Sequence, residues 1–335
     1  MGCESRSTIS HNTVIKSTIA ASSYAGAISG CTEKKSHLNN NYYYGAKVIK
    51  NANSTWDGIG NGGVGSTGGF ADVTDNDGAV KTNGIPLSDD HKNTFILRKY
   101  YKDEEGGQPY TLTARTLFKD GNWNTLCLPF SISKSEVEKK EHPFFGATIM
   151  ELDQKNTAIE NQVLRLTFKE TDHIEAGKPY LIKMDKYQTI MSPTFDNGYI
   201  TAVEPEAVTS NDGAVTFVGQ FDPFVVSDGR NDDDYNPTPN NIDEIVMLGS
   251  NNTLGYSKNP RTLHTFRCHF YVSSGSEKAR DFELNFDDGE ITSATDTEMV
   301  VEFKLDDWYT LDGKKLDGEP TEKGIYIYKG KKVIK

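Results

Sequence analysis

Cysteine is scarce in this chain and nowhere closely paired. Its four copies, Cys3, Cys31, Cys127 and Cys268, stand far apart and form no C-x-x-C unit, which excludes a zinc ribbon and a dense disulfide framework. They are expected as small apolar residues of strands. In "LHTFRCHFYV" the alternating set His264, Phe266, Cys268, Phe270 and Val272 shares one face, and that face is mostly apolar. Long apolar runs are missing as well, none approaching the roughly 20 residues of a membrane helix, so no transmembrane segment is expected. Positive charge is outweighed, with 36 Lys and Arg against 48 Asp and Glu and a net charge of −12. A phosphate-tracking surface needs the opposite balance, which removes nucleic acid from the expected partners.

Contiguous catalytic signatures are also lacking. The seven histidines are scattered with no H-E-x-x-H, and no serine sits in G-x-S-x-G. "GNGGVG" from Gly60 to Gly65 has the letters of G-x-G-x-x-G, but no apolar strand precedes it and "STGGF" rather than a helix follows, so it reads as a glycine-rich loop. Two carboxylates across a cleft are all that a glycosidase needs, and composition does not exclude them. Asp72, Asp75 and Asp77, and Asp228, Asp232, Asp233 and Asp234, form acidic clusters without the ligand spacing and closing Glu of a calcium loop. They read as solvated turns. No cofactor, no metal ligand and no catalytic residue is expected, and the chain is read as a non-enzyme.

What is present is turn and strand chemistry. The chain's 335 residues, with 30 Gly, 16 Tyr and 16 Phe, suit two or three small domains of many short strands, an all-β protein. Residues 1–85 carry short apolar pulses separated by Gly, Asn, Ser and Thr, the pattern of strands stacked in solenoid-like coils. After Pro86 the pattern changes. "RTLFKDGNWNTLCLPFSIS" sets an Asp-Gly turn before a strand whose Leu126, Leu128, Phe130 and Ile132 alternate onto one face. Ser133, with Glu136 three residues on and Pro143 as the stop, predicts a short helix with a capping box, the only helix of note. Strands are expected at "VLRLTF", "PYLIKM", "AVTFVGQF", "EIVMLGS", "LHTFRCHFYV" and "DFELNF", a series that suits a β-sandwich. The closing stretch predicts two hairpins, one of Trp308–Leu311 with Lys314–Leu316 about Asp312-Gly313, the other of Ile325–Tyr328 with Lys331–Ile334 about Lys329-Gly330. Its seven lysines suit an exposed strand edge that must not pair with other chains.

Three stretches carry resemblances. "YAGAISG" at Tyr24 to Gly30 followed by "LNNNYYYGAKV" resembles a degenerate GLUG-type repeat, with Ala25 where a Gly is common; arrays of that repeat occur in adhesin-like surface proteins. The ordered pieces "DGNWNTLCLPF", "FFGATIMELD", "EAGKPYLIK", "VTFVGQFDPF", "VMLGSNNTL" and "FRCHFYV" resemble a module of large surface proteins of Gram-negative anaerobes. "GIYIYKGKKVIK" resembles the C-terminal segments by which type IX secretion substrates are sorted to the outside of the outer membrane. Together these imply an extracellular or outer-membrane location and a fragment of a longer protein. Its expected parts are the end of a β-repeat region at 1–85, a β-sandwich at 87–286 and a sorting-like β tail at 287–335. The implied function is noncatalytic, adhesin-like binding of a host or matrix protein or a glycan, with secretion machinery as a second partner through the tail. The alternative is a carbohydrate-binding accessory protein, or the C-terminal part of a polysaccharide-degrading enzyme.

Aromatic side chains supply the candidate binding residues. Tyr42 and Tyr44 lie two apart on one strand face and Trp56 lies one coil further on, where exposed rings stack on sugars or protein partners. In a thin solenoid the same rings also serve as core.

Overall fold

Alternating apolar and polar residues build most elements of the computed structural model. It describes residues 79–184, 189–229, 241–257 and 259–273, residues 8–21 and 37–50, Ala279, Pro320 and a set of short strands in between and towards the C-terminus. The chain is mostly β, as expected, with two short helices among the described residues. No described helix is long and apolar enough to cross a membrane. Two compact units form: Met1–His91 with Glu105–Thr113 and Thr194–Gly198, and Lys92–Glu104 with Ala114–Pro193 and Tyr199–Lys335.

In the first unit, successive chain passes lie parallel. Thr8–Ser10 pairs with His37–Asn39, Thr13–Ile15 with Asn41–Tyr44, and Thr18–Ala21 with Lys47–Lys50, all in parallel register. The offset is 29 residues, the same separation at which the Asn12 and Asn41 side chains meet. The corners repeat with the strands. His11 and Asn40 have φ of 57° and 51°, and Lys16 and Gly45 have φ of 42° and 60°, so two left-handed bends recur in consecutive passes. Asn41 is fully buried; its Oδ1 accepts from the Asn12 backbone N–H at 3.1 Å and from Asn12 Nδ2 at 3.0 Å. A buried polar atom bonded this way fixes the corner, since leaving it unpaired costs about 1–3 kcal/mol. Tyr42, Tyr43 and Tyr44 alternate, with Tyr43 buried and its two neighbours half-buried. Ile85–Ser88 pairs parallel with Gln108–Thr113, which pairs antiparallel with Thr194–Gly198.

Two larger sheets form the second unit. One runs in the order Trp123–Cys127, Pro179–Lys183, Thr148–Leu152, Val163–Thr171, Asp281–Phe286, Ile291–Thr295, with Ala158–Glu160 also on Val163–Thr171. The other is antiparallel, in the order Ala207–Thr209, Val215–Gly219, Cys268–Val272, Ile245–Leu248, Leu254–Tyr256. Strict alternation buries Leu164, Leu166 and Phe168 from one and Val215 and Phe217 from the other, each large side chain contributing roughly 1.5–3 kcal/mol. Phe168 meets Phe217 and Phe270 edge to face at 5.8 and 6.3 Å, so rings of the two sheets share one core. Gly219 is required by close approach, because a Cβ there would collide with the Cys127 side chain.

Several expectations need correction here. The apolar stripe expected from His264 to Val272 is broken: Phe266 has φ of 55°, strand geometry begins only at Cys268, and His264 is exposed. Phe266, Cys268, Phe270 and Val272 are buried as expected, and so are Thr265 and His269, which stand off that alternating set. The helix at Lys134–Val137 forms as expected, the Glu136 carboxylate accepting from the Ser133 N–H at 2.9 Å and its Oγ–H at 2.8 Å. It has company, however. Thr94–Lys99 is a longer helix, capped by Asp222, whose Oδ1 accepts from the N–H groups of Asn93 and Thr94 at 2.7 and 3.3 Å. In the C-terminal stretch Ile325–Tyr328 and Lys331–Ile334 form the expected hairpin, but Trp308–Thr310 pairs with Ile325–Tyr328. Lys314–Leu316 lies outside the described residues.

Candidate functional site

One side-chain cluster of the first unit gathers imidazole and carboxylate donors. Ile85–Ser88 ends in a tight turn because the Ser88 Oγ accepts from the backbone N–H groups of Asp90 and His91 at 3.4 and 3.1 Å. The Ser88 hydroxyl hydrogen goes to Asp90 Oδ1 at 2.8 Å, and His91 Nδ1 lies 2.8 Å from the same oxygen. The His11 ring stacks on His91, with centroids 4.0 Å apart and planes at 26°, and its Nε2 lies 4.0 Å from Asp90 Oδ2. On the His11 side, Asn40 Nδ2 stands 3.1 Å from the same Nε2. His11 and Asn40 are thus the equivalent corners of consecutive passes, touching through their side chains.

Electrostatics follow from this packing. Partial burial works to raise the Asp90 pKa, but the hydrogen bonds from His91 and Ser88 outweigh it and hold the carboxyl below its ordinary value. Asp90 is therefore ionised at neutral pH. Because the Ser88 hydroxyl gives its hydrogen to Asp90, it is committed to the carboxylate and not activated by an imidazole base, so the trio is not arranged as a nucleophilic relay.

Tyr42 joins this cluster to the aromatic face. Its pKa is raised, first by burial and then by the negative charges of Asp90 and Asp89, against a hydrogen bond with the Thr113 side chain that works the other way. The hydroxyl thus feels the Asp90 and Asp89 charges while the ring remains half-buried. Tyr44, opposite Ile15 in the neighbouring pass, is also half-buried. Trp56 ends the strand Ser54–Trp56 opposite Val48, and its side chain lies outside the described residues. So do Asp75, Asp77, Asp232, Asp233 and Asp234 and most of the Gly60 to Gly65 loop, whereas Asp228 is described and half-buried.

His11, Asp90 and His91 were not singled out by sequence reasoning, which looked for contiguous histidine motifs. The 29-residue offset that brings His11 to Asn40 emerges only from the pairing of the strands. Elsewhere, Cys127 and Cys268 are free thiols, buried as expected. Burial pushes both thiol pKa values well up, which makes them poor nucleophiles. Cys3 and Cys31 are register partners in parallel strands, and their side chains lie outside the described residues. No family model matches the chain, and neither a curated protein nor a solved structure matches it.

Proposed function

We propose that this chain is a noncatalytic, adhesin-like binding protein of the cell surface or of the secreted fraction. In this reading the parallel passes before residue 85 are the last coils of a GLUG-like β-solenoid and present the binding surface. The two sheets sharing the Phe168, Phe217 and Phe270 core form a β-sandwich that serves as stalk or cap. The C-terminal β unit is a type IX sorting-like label read by secretion machinery, which places the protein outside the outer membrane. The observation that carries the binding role is the pair of half-buried rings, Tyr42 and Tyr44, held on one face of stacked parallel strands. Rings fixed in a rigid sheet lose little entropy when they bind, the property that makes tyrosine frequent in contact surfaces.

A screen of immobilised glycans and matrix proteins with the 335-residue chain tests this. Micromolar binding to a matrix protein or glycan, weakened at least about tenfold by Tyr42→Ala or Tyr44→Ala with the melting transition retained, is the expected result; a tenfold loss corresponds to about 1.4 kcal/mol. Binding unaffected by both substitutions would remove these rings from the site. The second reading, a carbohydrate-binding accessory protein or the end of a polysaccharide-degrading enzyme, is favoured by the Tyr42 hydroxyl lying near the Asp89 and Asp90 charges. A ring beside carboxylates offers a sugar both a stacking face and hydrogen-bond acceptors. Affinity for a polysaccharide with none for protein ligands selects it over the first.

A further inference from the structure

Two imidazoles and a carboxylate converge where the first left-handed corner meets the Ser88–His91 turn. One donor atom from each of His11, Asp90 and His91 lies within 4.8 Å of the others. A four-coordinate ion with bonds of about 2.0–2.1 Å to nitrogen and oxygen brings its donors to roughly 3.3 Å from one another. Rotation of the side chains about χ1 and χ2 closes the remaining gap, and the stacked rings must turn in this way to aim both lone pairs at one point. The side chains are 33, 35 and 48 % exposed for His11, Asp90 and His91, so both this rotation and the entry of an ion from solvent are open to them.

The surroundings orient the donors as the outer shell of a metal site does. Ser88 and two backbone N–H groups fix the turn that carries Asp90 and His91. Asn40 Nδ2 stands 3.1 Å from His11 Nε2, a contact that the ring gives up when that nitrogen turns to an ion. The choice of histidine is informative as well. Asn40 satisfies the equivalent corner at nearly the same φ, and asparagine is the commoner solution for a left-handed residue. A histidine at the other corner adds a ring nitrogen that the bend itself does not require.

We propose that His11, Asp90 and His91 form a binding site for one divalent transition-metal ion of the zinc class. Two nitrogen donors and one oxygen disfavour calcium and magnesium, which take oxygen ligands, and suit zinc, nickel or copper. Three protein ligands leave a fourth position for water or for an oxygen or nitrogen atom of a bound partner. This site does not depend on the binding role of Tyr42 and Tyr44, and it stands or falls separately.

Calorimetric titration of the chelator-treated full chain with zinc chloride tests the proposal, with calcium and magnesium chloride in parallel. The expected result is one zinc equivalent at micromolar affinity and no calcium or magnesium binding at this site. His91→Ala and His11→Asn should each weaken zinc at least about tenfold, and Asp90→Asn measurably. The His11→Asn variant puts into the corner the residue that Asn40 already supplies, so its circular dichroism and melting should be unchanged, and lost binding then reports the ligand and not the fold. A Cys3→Ser, Cys31→Ser double variant should bind zinc as the parent does. No zinc binding by the parent, or stoichiometric binding that survives the His11, Asp90 and His91 substitutions, overturns the assignment.

Discussion

His269 shows how burial sets the chemistry of a single residue. Its ring is 3 % exposed and stacks on Phe224 at 4.2 Å. Gln220 Nε2 donates to the His264 carbonyl at 2.8 Å, which leaves Gln220 Oε1 to accept from His269 Nδ1–H at 2.9 Å and defines the neutral tautomer. Desolvation lowers its pKa from 6.5 to about 4. Since the unfolded chain then binds the extra proton between those two values, the stability contribution is whole above about pH 6.5 and is lost as pH falls towards 4. The loss expected by pH 4.5 is roughly 2–3 kcal/mol. Denaturant midpoints of the parent and of His269→Gln at pH 7.5 and 4.5 check this: the variant should show a shallower pH slope, and parallel slopes would refute it. At the same scale the alternation of Tyr42, Tyr43 and Tyr44 was legible, because a two-residue period is local. The meeting of His11, Asp90 and His91 was not, because nothing in the neighbourhood of either segment names the other.

At the scale of elements, the two helices contrast. Lys134–Val137 carries its own start signal in Ser133 and Glu136, and the Glu136 carboxylate accepts from both the Ser133 N–H and its Oγ–H. Thr94–Lys99 has no acidic residue in its first turn and no side-chain cap of its own, so local spacing gave no reason to expect it. Its cap is Asp222, which also accepts from the Thr94 hydroxyl, while buried Asn93 donates from Nδ2 to the Phe221 carbonyl at 2.9 Å. Asp222→Ala should therefore cost about 1–2 kcal/mol, the range for losing a helix cap, and should raise amide exchange through Thr94–Lys99 before the rest of the unit. Uniform protection across that helix in the variant would show that Leu97, fully buried, holds it alone. The strand from Cys268 makes the same point in reverse: the apolar period seen in the sequence runs back to His264, but the left-handed Phe266 ends it, and its N–H bonds to the Gln220 carbonyl at 2.7 Å instead.

For the whole molecule, the C-terminal stretch offers the cleanest separation of structure from address. Trp308–Thr310, Ile325–Tyr328 and Lys331–Ile334 pair with one another in a three-stranded sheet of their own. Deleting Trp308 to Lys335 should leave the remaining chain folded with a cooperative melting transition, yet abolish surface delivery on the sorting reading. Circular dichroism and protease accessibility on intact cells measure the two arms, and loss of folding in the truncated chain would make the segment structural. Turn residues, the alternation within most strands and the Ser133 cap were decided by the sequence alone, because each depends on residues within a few positions of one another. The 29-residue parallel register, the core shared by Phe168, Phe217 and Phe270, the Asp222 cap and the His11, Asp90 and His91 cluster were decided only by tertiary structure. Each joins segments far apart in the chain, and a contact of that kind leaves no period or spacing in the residues around it.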